Sequence, residues 1–437
     1  MKYLFAVLVL LMAGSVQAQL LNKLKHMAKD KAENKVVRET GKVVDTVLDG
    51  KGKKPAGDKA ATTQPAAPSS LPAKATTDKA TGDSTPANLP GFKVYTNYDF
   101  VPGSTVIAWE DFSQESKGDF PVKWNTNAGG EVVTIDGKPG QWLAINKTGV
   151  YMPEFITELP DNFTLEFEVG CNPGFRNLSS PISFAIASLK KPEDYTRYMQ
   201  GSGGRTGFNT WVLPLSTDGK SARYGYQASV DGNESTSQSN GITLQLHAPT
   251  KNFMKVSIWR QKTRIRVYFN EEKVADVARA LMAPMYNALV FSLTTARTEP
   301  DQYFLSNIRL AVGAPDLRNK LLTEGKFTTT GILFDVNSDR IKPESYGVLK
   351  EIASVLKDNA GLKVKITGHT DSDGDAAYNL TLSKQRAAAV RQALATEFGI
   401  DTGRMETDGK GETAPADKAN TPTAKANNRR VEFEKML

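Results

Sequence analysis

Between about residues 90 and 316 the chain alternates apolar and polar positions in short runs broken by Gly, Asn, Asp and Pro. Phe163-Thr-Leu165-Glu-Phe167-Glu-Val169 is the clearest case. A period of two predicts half-buried strands. Similar runs at Ile182 to Ala187, Ile242 to Leu246, Val256 to Trp259, Ile265 to Phe269, Leu289 to Leu293 and Ile308 to Val312 give many strands and few helices. An antiparallel all-β sandwich is the expected architecture. Within it, Val256-Ser-Ile258 and Ile265-Arg-Val267 flank a turn near Gln261-Lys262-Thr263, and a second turn follows at Phe269-Asn270-Glu271-Glu272-Lys273-Val274.

Past residue 326 the pattern alternates β and α signals. Ile332-Leu-Phe334-Asp-Val336 predicts a strand, and Pro343 opens a helix with Leu349, Ile352, Ala353 and Leu356 on one face. Leu362-Lys-Val364-Lys-Ile366 predicts the next strand, an Asp-rich loop spans Gly368 to Asp375, a helix runs from about Leu380 to Phe398, and Val431 and Phe433 mark a last strand. The expected order is β-α-β-α-β around a mixed sheet. In the preceding region, the turn Phe269-Asn270-Glu271-Glu272-Lys273-Val274 resembles that of concanavalin-like jelly rolls, and the resemblance implies a jelly-roll sandwich there.

Before residue 90 the texture is different. Lys2 precedes an apolar run from Tyr3 to Ala13, and Ser15-Val-Gln-Ala18 has the character of a signal-peptidase site, so residues 1–18 read as an export signal. Residues 19–49 place Leu21, Leu24, Ala28, Val36, Val43 and Val47 at roughly helical spacing in a basic segment, read as a solvated helix in preference to a membrane-surface one. Residues 50–89, rich in Lys, Ala, Thr and Pro, bury too little apolar surface to offset chain entropy and read as a disordered linker. Its Asp83-Ser84-Thr85 resembles a bacterial O-glycosylation motif. The sandwich is then assigned to 90–317 and the α/β domain to 326–437, which suits a chain of 437 residues, too long for one core.

The formal net charge of +7 is local: between residues 19 and 60, 11 Lys and Arg oppose 6 Asp and Glu. No nucleic-acid partner is expected from it. Cys171 is the single cysteine and is expected to be buried and inert. With only His26, His247 and His369 and no cysteine pair, metal and triad chemistries lack their parts, and neither cofactor nor metal is expected. Asp371, Asp373 and Asp375 resemble the start of a calcium loop, but the twelfth position holds Leu382 where a Glu is required.

On the second predicted helix, Leu382, Ala389, Val390, Ala393 and Leu394 share one apolar sector, and Arg386 falls inside it. A guanidinium there must find an anion, and the carboxylates of the Asp-rich loop are the candidates. A structural bridge and a ligand site are both open on this reading. The stretch Gly368-His-Thr-Asp371, Tyr378-Asn379, Leu382-Ser383, Arg386-Ala387 and Val390 resembles the OmpA-like signature. Gly409-Lys-Gly411-Glu412 and Asn428-Arg429-Arg430-Val431-Glu432 resemble the rest of that domain, as does Phe334-Asp335-Val336-Asn337-Ser338 before Ile341-Lys342-Pro343. One departure is Ala424-Lys425-Ala426-Asn427, where a Gly-Arg often precedes the Asn-Arg-Arg run.

The resemblance implies a peptidoglycan-binding domain whose ligand is the diaminopimelate residue of the stem peptide. It implies that Asp371 and Arg386 bind that zwitterion, that Asn379 contacts it, that Thr370 lines the site and that Arg429 flanks it. The implied protein is non-catalytic, exported to the periplasm and associated with the wall and outer membrane, with outer-membrane components as further partners. Alternatives rest on the middle region. It could be a glycan-active enzyme using a carboxylate pair such as Glu166 and Glu168. It could bind a glycan or protein through Trp211, Tyr224 and Tyr226. It could also be an outer-membrane β-barrel, although its runs are short for membrane strands.

Overall fold

The computed structural model describes residues 98–436, apart from 176–178, 199–204, 215–219, 295–300 and 314–316. The expected export signal, basic helix, linker and glycosylation motif lie outside the described residues. All described residues belong to one compact unit that runs from Pro86 to Leu437.

Two antiparallel sheets form the middle region. The first orders β13 (Glu272–Val277), β12 (Arg264–Phe269), β11 (Phe253–Gln261), β6 (Asn162–Cys171), β15 (Tyr303–Val312), β4 (Trp142–Ile145) and β3 (Gly130–Val133), with β1 (Thr105–Glu110) also paired to β15. The second orders β10 (Asn233–Thr243), β9 (Ala222–Val230), β8 (Gly207–Leu213), β7 (Ile182–Ala187), β14 (Ala288–Leu293), β5 (Gly149–Pro153) and β2 (Trp124–Thr126). Both sheets have free end strands, so the described strands close no barrel and the membrane-barrel alternative is not what this region builds.

Alternating residues of the two sheets interdigitate in one core. Phe167 of β6 meets Phe184 of β7 and Phe291 of β14 edge-on, each with ring centroids 5.1 Å apart, a geometry that adds about 0.5–1.5 kcal/mol per pair to simple burial. The expected turns are present: Lys262 and Asn270 adopt positive φ between β11 and β12 and between β12 and β13, and the Asn270 carboxamide accepts from the Lys255 amide at 2.8 Å.

Strand β6 is not half-buried as its alternation predicts. Its polar face is buried too: Thr164 and Glu166 are each 3% exposed, and the hydroxyl of Thr164 accepts from the Gly103 amide. Glu166, expected on an exposed face, is only 3% exposed and is gripped by Lys255 and by Arg309, both at 2.6 Å. Arg309 continues to the Gly103 carbonyl and the Thr330 hydroxyl, at the threshold of the next domain. The Ile242 to Leu246 run also differs from expectation: the strand is the mostly polar Asn233–Thr243, and Ile242 is exposed at its edge.

The C-terminal sheet orders β16 (Lys326–Thr329), β19 (Val431–Met436), β17 (Lys363–His369) and β18 (Met405–Gly411), with β17 and β18 parallel and the other pairs antiparallel. Helices α1 (Tyr346–Asp358), α2 (Ala376–Phe398) and α3 (Pro422–Asn428) complete it. The helix packing on the sheet is that of a mixed α/β domain, with Ile352, Leu356, Val364, Ile366, Val390 and Phe433 in its core. Ile332 to Val336 is not a strand. It is a loop with a single bridge between Phe334 and Ile341, pinned where Ser345 Oγ accepts from the Leu333 amide. The first strand is β16, and β18 and α3 add to the expected order. Helix α2 starts earlier than expected because Asp375 caps it, accepting from the Tyr378 amide at 2.8 Å.

Candidate functional site

The ends of β17 and β18, the Asp-rich loop and the start of α2 converge with the loop at 334–340 and the turn before β19. Close packing is required beneath them. A Cβ on Gly368 would come within 2.2 Å of the Ser383 carbonyl oxygen, so only glycine lets α2 lie directly on β17. That contact sets Asn379 and Arg386 over the Asp-rich loop.

Asn379 is buried and acts as a hub. Its side-chain Nδ2 donates to the carbonyl oxygens of Asp371 (3.4 Å) and Asp373 (3.0 Å) and to Glu412 Oε2 (2.8 Å). These bonds tie the Asp-rich loop to the turn that follows β18. Asp371 accepts from the Asp373 amide on Oδ1 at 3.2 Å, and Arg429 Nη1 reaches Oδ2 at 2.6 Å. Lys425 of α3 reaches Asp373 at 2.7 Å across the same loop.

Arg386 does not pair with the Asp-rich loop as expected. Its Nε donates to the Ser338 carbonyl at 2.9 Å, its Nη2 to the Asp335 carbonyl at 3.4 Å, and its guanidinium lies over the Phe334 ring at 4.9 Å. Burial lowers its basicity, which the charge of Asp371 partly restores through space. Among the described residues no carboxylate bonds it. The physical reason is that the loop at 334–340 supplies carbonyl oxygens close enough to fix the head group, while Arg429 takes the position on Asp371. The result is a cation already oriented and not neutralised. Next to Asp371 in the chain, Thr370 is 4% exposed, and its hydroxyl has no hydrogen-bond partner among the described residues.

The structure thus brings Thr370, Asp371, Asn379, Arg386 and Arg429 together. Sequence reasoning missed Trp109. The indole of this β1 residue lies under the Arg429 guanidinium at 5.1 Å, and its Nε1 donates to Asp111 Oδ2 at 3.0 Å. Alternation within Thr105–Glu110 was the available signal, since Thr105, Ile107 and Trp109 share the outward face of β1.

The other candidates come apart. Trp211 pairs with Gly225, whereas Tyr224 pairs with Val212, so Trp211 lies on the opposite face of the sheet from Tyr224 and Tyr226. Tyr224 packs edge-on against Phe269 and Tyr226 stacks with Phe208, both toward the core. The three rings are not one patch. Glu166 is masked by its two cations, which outweigh the effect of burial and hold its carboxyl below the usual range. Glu168 accepts from Asn307 at 2.9 Å. Cys171 is buried, and burial pushes its thiol up to about 12, consistent with an inert side chain.

The model of the OmpA family matches residues 333–429. Outer-membrane lipoprotein YfiB of Pseudomonas aeruginosa is 35% identical over 153 residues, which are 35% of this chain and 90% of that protein. Outer membrane porin F of the same species is 40% identical over 103 residues, 24% of this chain and 29% of the porin. The Escherichia coli protein named as probable lipoprotein YiaD is 41% identical over 102 residues, 23% of this chain and 46% of that protein. The chain therefore spans less than half of the length of the porin and of YiaD. Among solved structures, the peptidoglycan-associated lipoprotein of Burkholderia pseudomallei is 28% identical, with 28% of this chain and 98% of that chain covered and a TM-score of 0.24.

Proposed function

Because this chain belongs to the OmpA family, we propose that its C-terminal domain binds peptidoglycan without catalysis, through the diaminopimelate residue of the stem peptide, and holds the β-sandwich at the cell wall. The family relatives named as outer-membrane proteins and lipoproteins support a place in the periplasm against the outer membrane, and the leader-like first 18 residues support export.

The observation that carries this reading is Arg386, a guanidinium fixed by two carbonyl oxygens and an aromatic face yet bonded to no anion among the described residues. The free end of diaminopimelate is an amino-acid zwitterion. Its carboxylate suits the fork of Arg386, and its ammonium suits Asp371, whose oxygens have acceptor capacity beyond the Asp373 amide and Arg429. The unpartnered hydroxyl of Thr370 adds a polar group beside them. Two opposite charges held on separate elements read both ends of a zwitterion, which a lone charge cannot do. Domain assignments of 90–317 and 326–437 follow the same reading, with the sandwich as the presented module.

Co-sedimentation tests it. The purified protein should pellet with diaminopimelate-type peptidoglycan and far less with lysine-type wall, and folded Asp371→Ala and Arg386→Ala variants should remain in the supernatant. Equal pelleting by wild type and both variants would overturn the assignment.

A further inference from the structure

We propose that Trp109, carried on the β-sandwich, is a positioning residue of the diaminopimelate site, so that the wall-binding site is completed by the other domain. This rests on the reading of the C-terminal domain given above and extends it to a residue outside the family's own region.

Four contacts carry the inference. The indole face of Trp109 supports the guanidinium of Arg429 at 5.1 Å, and the same guanidinium holds Asp371 Oδ2 at 2.6 Å. The indole is itself fixed from below by Asp111, whose carboxylate lies low because its hydrogen bonds to Ser113 and Trp109 and the charge of Arg429 outweigh its burial. Two residues before Arg429, Asn427 clamps the free edge of β1: its Oδ1 accepts from the Val106 amide and its Nδ2 donates to the Val106 carbonyl, each at 2.9 Å. The strand pairing with β15 shifts register between Val106 and Ala108, and among the described residues no strand pairs with the other edge of β1, so Val106 offers both backbone groups to the carboxamide.

The chemistry follows from the order of contacts. Asp371 must present its carboxylate to an incoming ammonium while Arg429 stays bonded to it. A guanidinium resting on an aromatic face keeps its planar orientation, whereas one without that support is free to rotate about the carboxylate and contest the ammonium's place. Trp109 thus sets the direction of Arg429, and through it the direction of Asp371. It does not touch the ligand's zwitterion in this arrangement.

The test is calorimetric titration of the full-length protein with a soluble diaminopimelate-containing muropeptide, with Trp109→Ala, Trp109→Phe and Asp371→Ala beside the wild type. A 5-fluorotryptophan-labelled wild type is titrated in parallel, its position-109 resonance assigned by its disappearance in labelled Trp109→Phe. The expected results are about three- to fivefold weaker binding for Trp109→Ala, most of the affinity kept by Trp109→Phe, and a shift of the position-109 fluorine resonance on saturation. The fluorine signal is read on the native fold, so it stands even where the alanine variant folds poorly. Wild-type affinity in Trp109→Ala with an unmoved resonance, while Asp371→Ala has lost binding, would overturn the proposal and leave the wall-binding reading intact. A wild type that binds no muropeptide would remove both.

Discussion

Arg429, not Arg386, is the guanidinium bonded to Asp371, at 2.6 Å, while Arg386 is held by carbonyl oxygens of the loop across the cleft. The two arginines therefore divide the work. In the proposed site, one steadies the carboxylate and the other receives an anion. Arg386→Lys should keep the charge and lose the fork, because a single ammonium cannot bond the Ser338 and Asp335 carbonyls and a ligand carboxylate in one plane. Muropeptide affinity should fall at least about tenfold, the equivalent of one charged hydrogen bond, with unfolding free energy changed far less; calorimetry and urea unfolding measure the two.

Glu166 should matter to stability alone. Its carboxylate compensates both Lys255 and Arg309 beneath the segment that leads to the C-terminal domain. Glu166→Gln removes the carboxylate bonded to both cations and leaves the buried Arg309 unneutralised, which should cost about 3–5 kcal/mol. Urea unfolding gives the number, and retained peptidoglycan binding at low temperature would show that the site is untouched.

The Glu110 carboxyl is pushed up to about 7 by burial, opposed by the Phe112 amide and reinforced by Asp111 and Glu115. A carboxyl raised in the folded state binds more protons folded than unfolded, so its contribution to stability is complete below its ordinary value near 4.5 and is lost as pH rises toward 7. Between pH 5 and pH 8 the wild type should lose about 1–3 kcal/mol from this group. Glu110→Gln should remove that part of the slope, and a wild-type slope in the variant would show that another group carries it.

Much of this molecule was legible in its sequence, and the misses share a cause. Ile182–Ala187 is a strand with the bounds read from its apolar run, and Lys262 and Asn270 mark their turns because polar residues interrupt two alternating runs. Glu166 was misplaced because alternation reports the two faces of a strand without saying what covers the second. The strand β16 was missed because Lys326–Thr329 is four residues long, too short for a period to register. For Arg386 the apolar sector correctly demanded a partner, but carbonyl oxygens from an irregular loop are invisible to residue-type reasoning. Asn427 and Val106 lie 321 residues apart in sequence, and nothing local to either announces the other.

Asn427→Ala should release the edge of β1. Two hydrogen bonds are lost, at a cost of about 1–3 kcal/mol, and hydrogen exchange should accelerate at the Val106 amide while the amides of α2 stay protected. Unchanged exchange at Val106 would mean that the clamp carries no weight in solution.

That clamp also has a mechanical meaning. The chain joins the sandwich to the C-terminal domain once, through the residues after Val312, and Arg309 fastens that junction by its bonds to Gly103 and Thr330. Asn427 is a second fastening at a different point, on the free edge of β1. A body held at one point can swivel about it, while a body held at two resists turning. With the C-terminal domain gripping the wall as proposed, tension on it would therefore pass into the sandwich as torque as well as pull, and would set which way the sandwich faces, not merely how far away it is held.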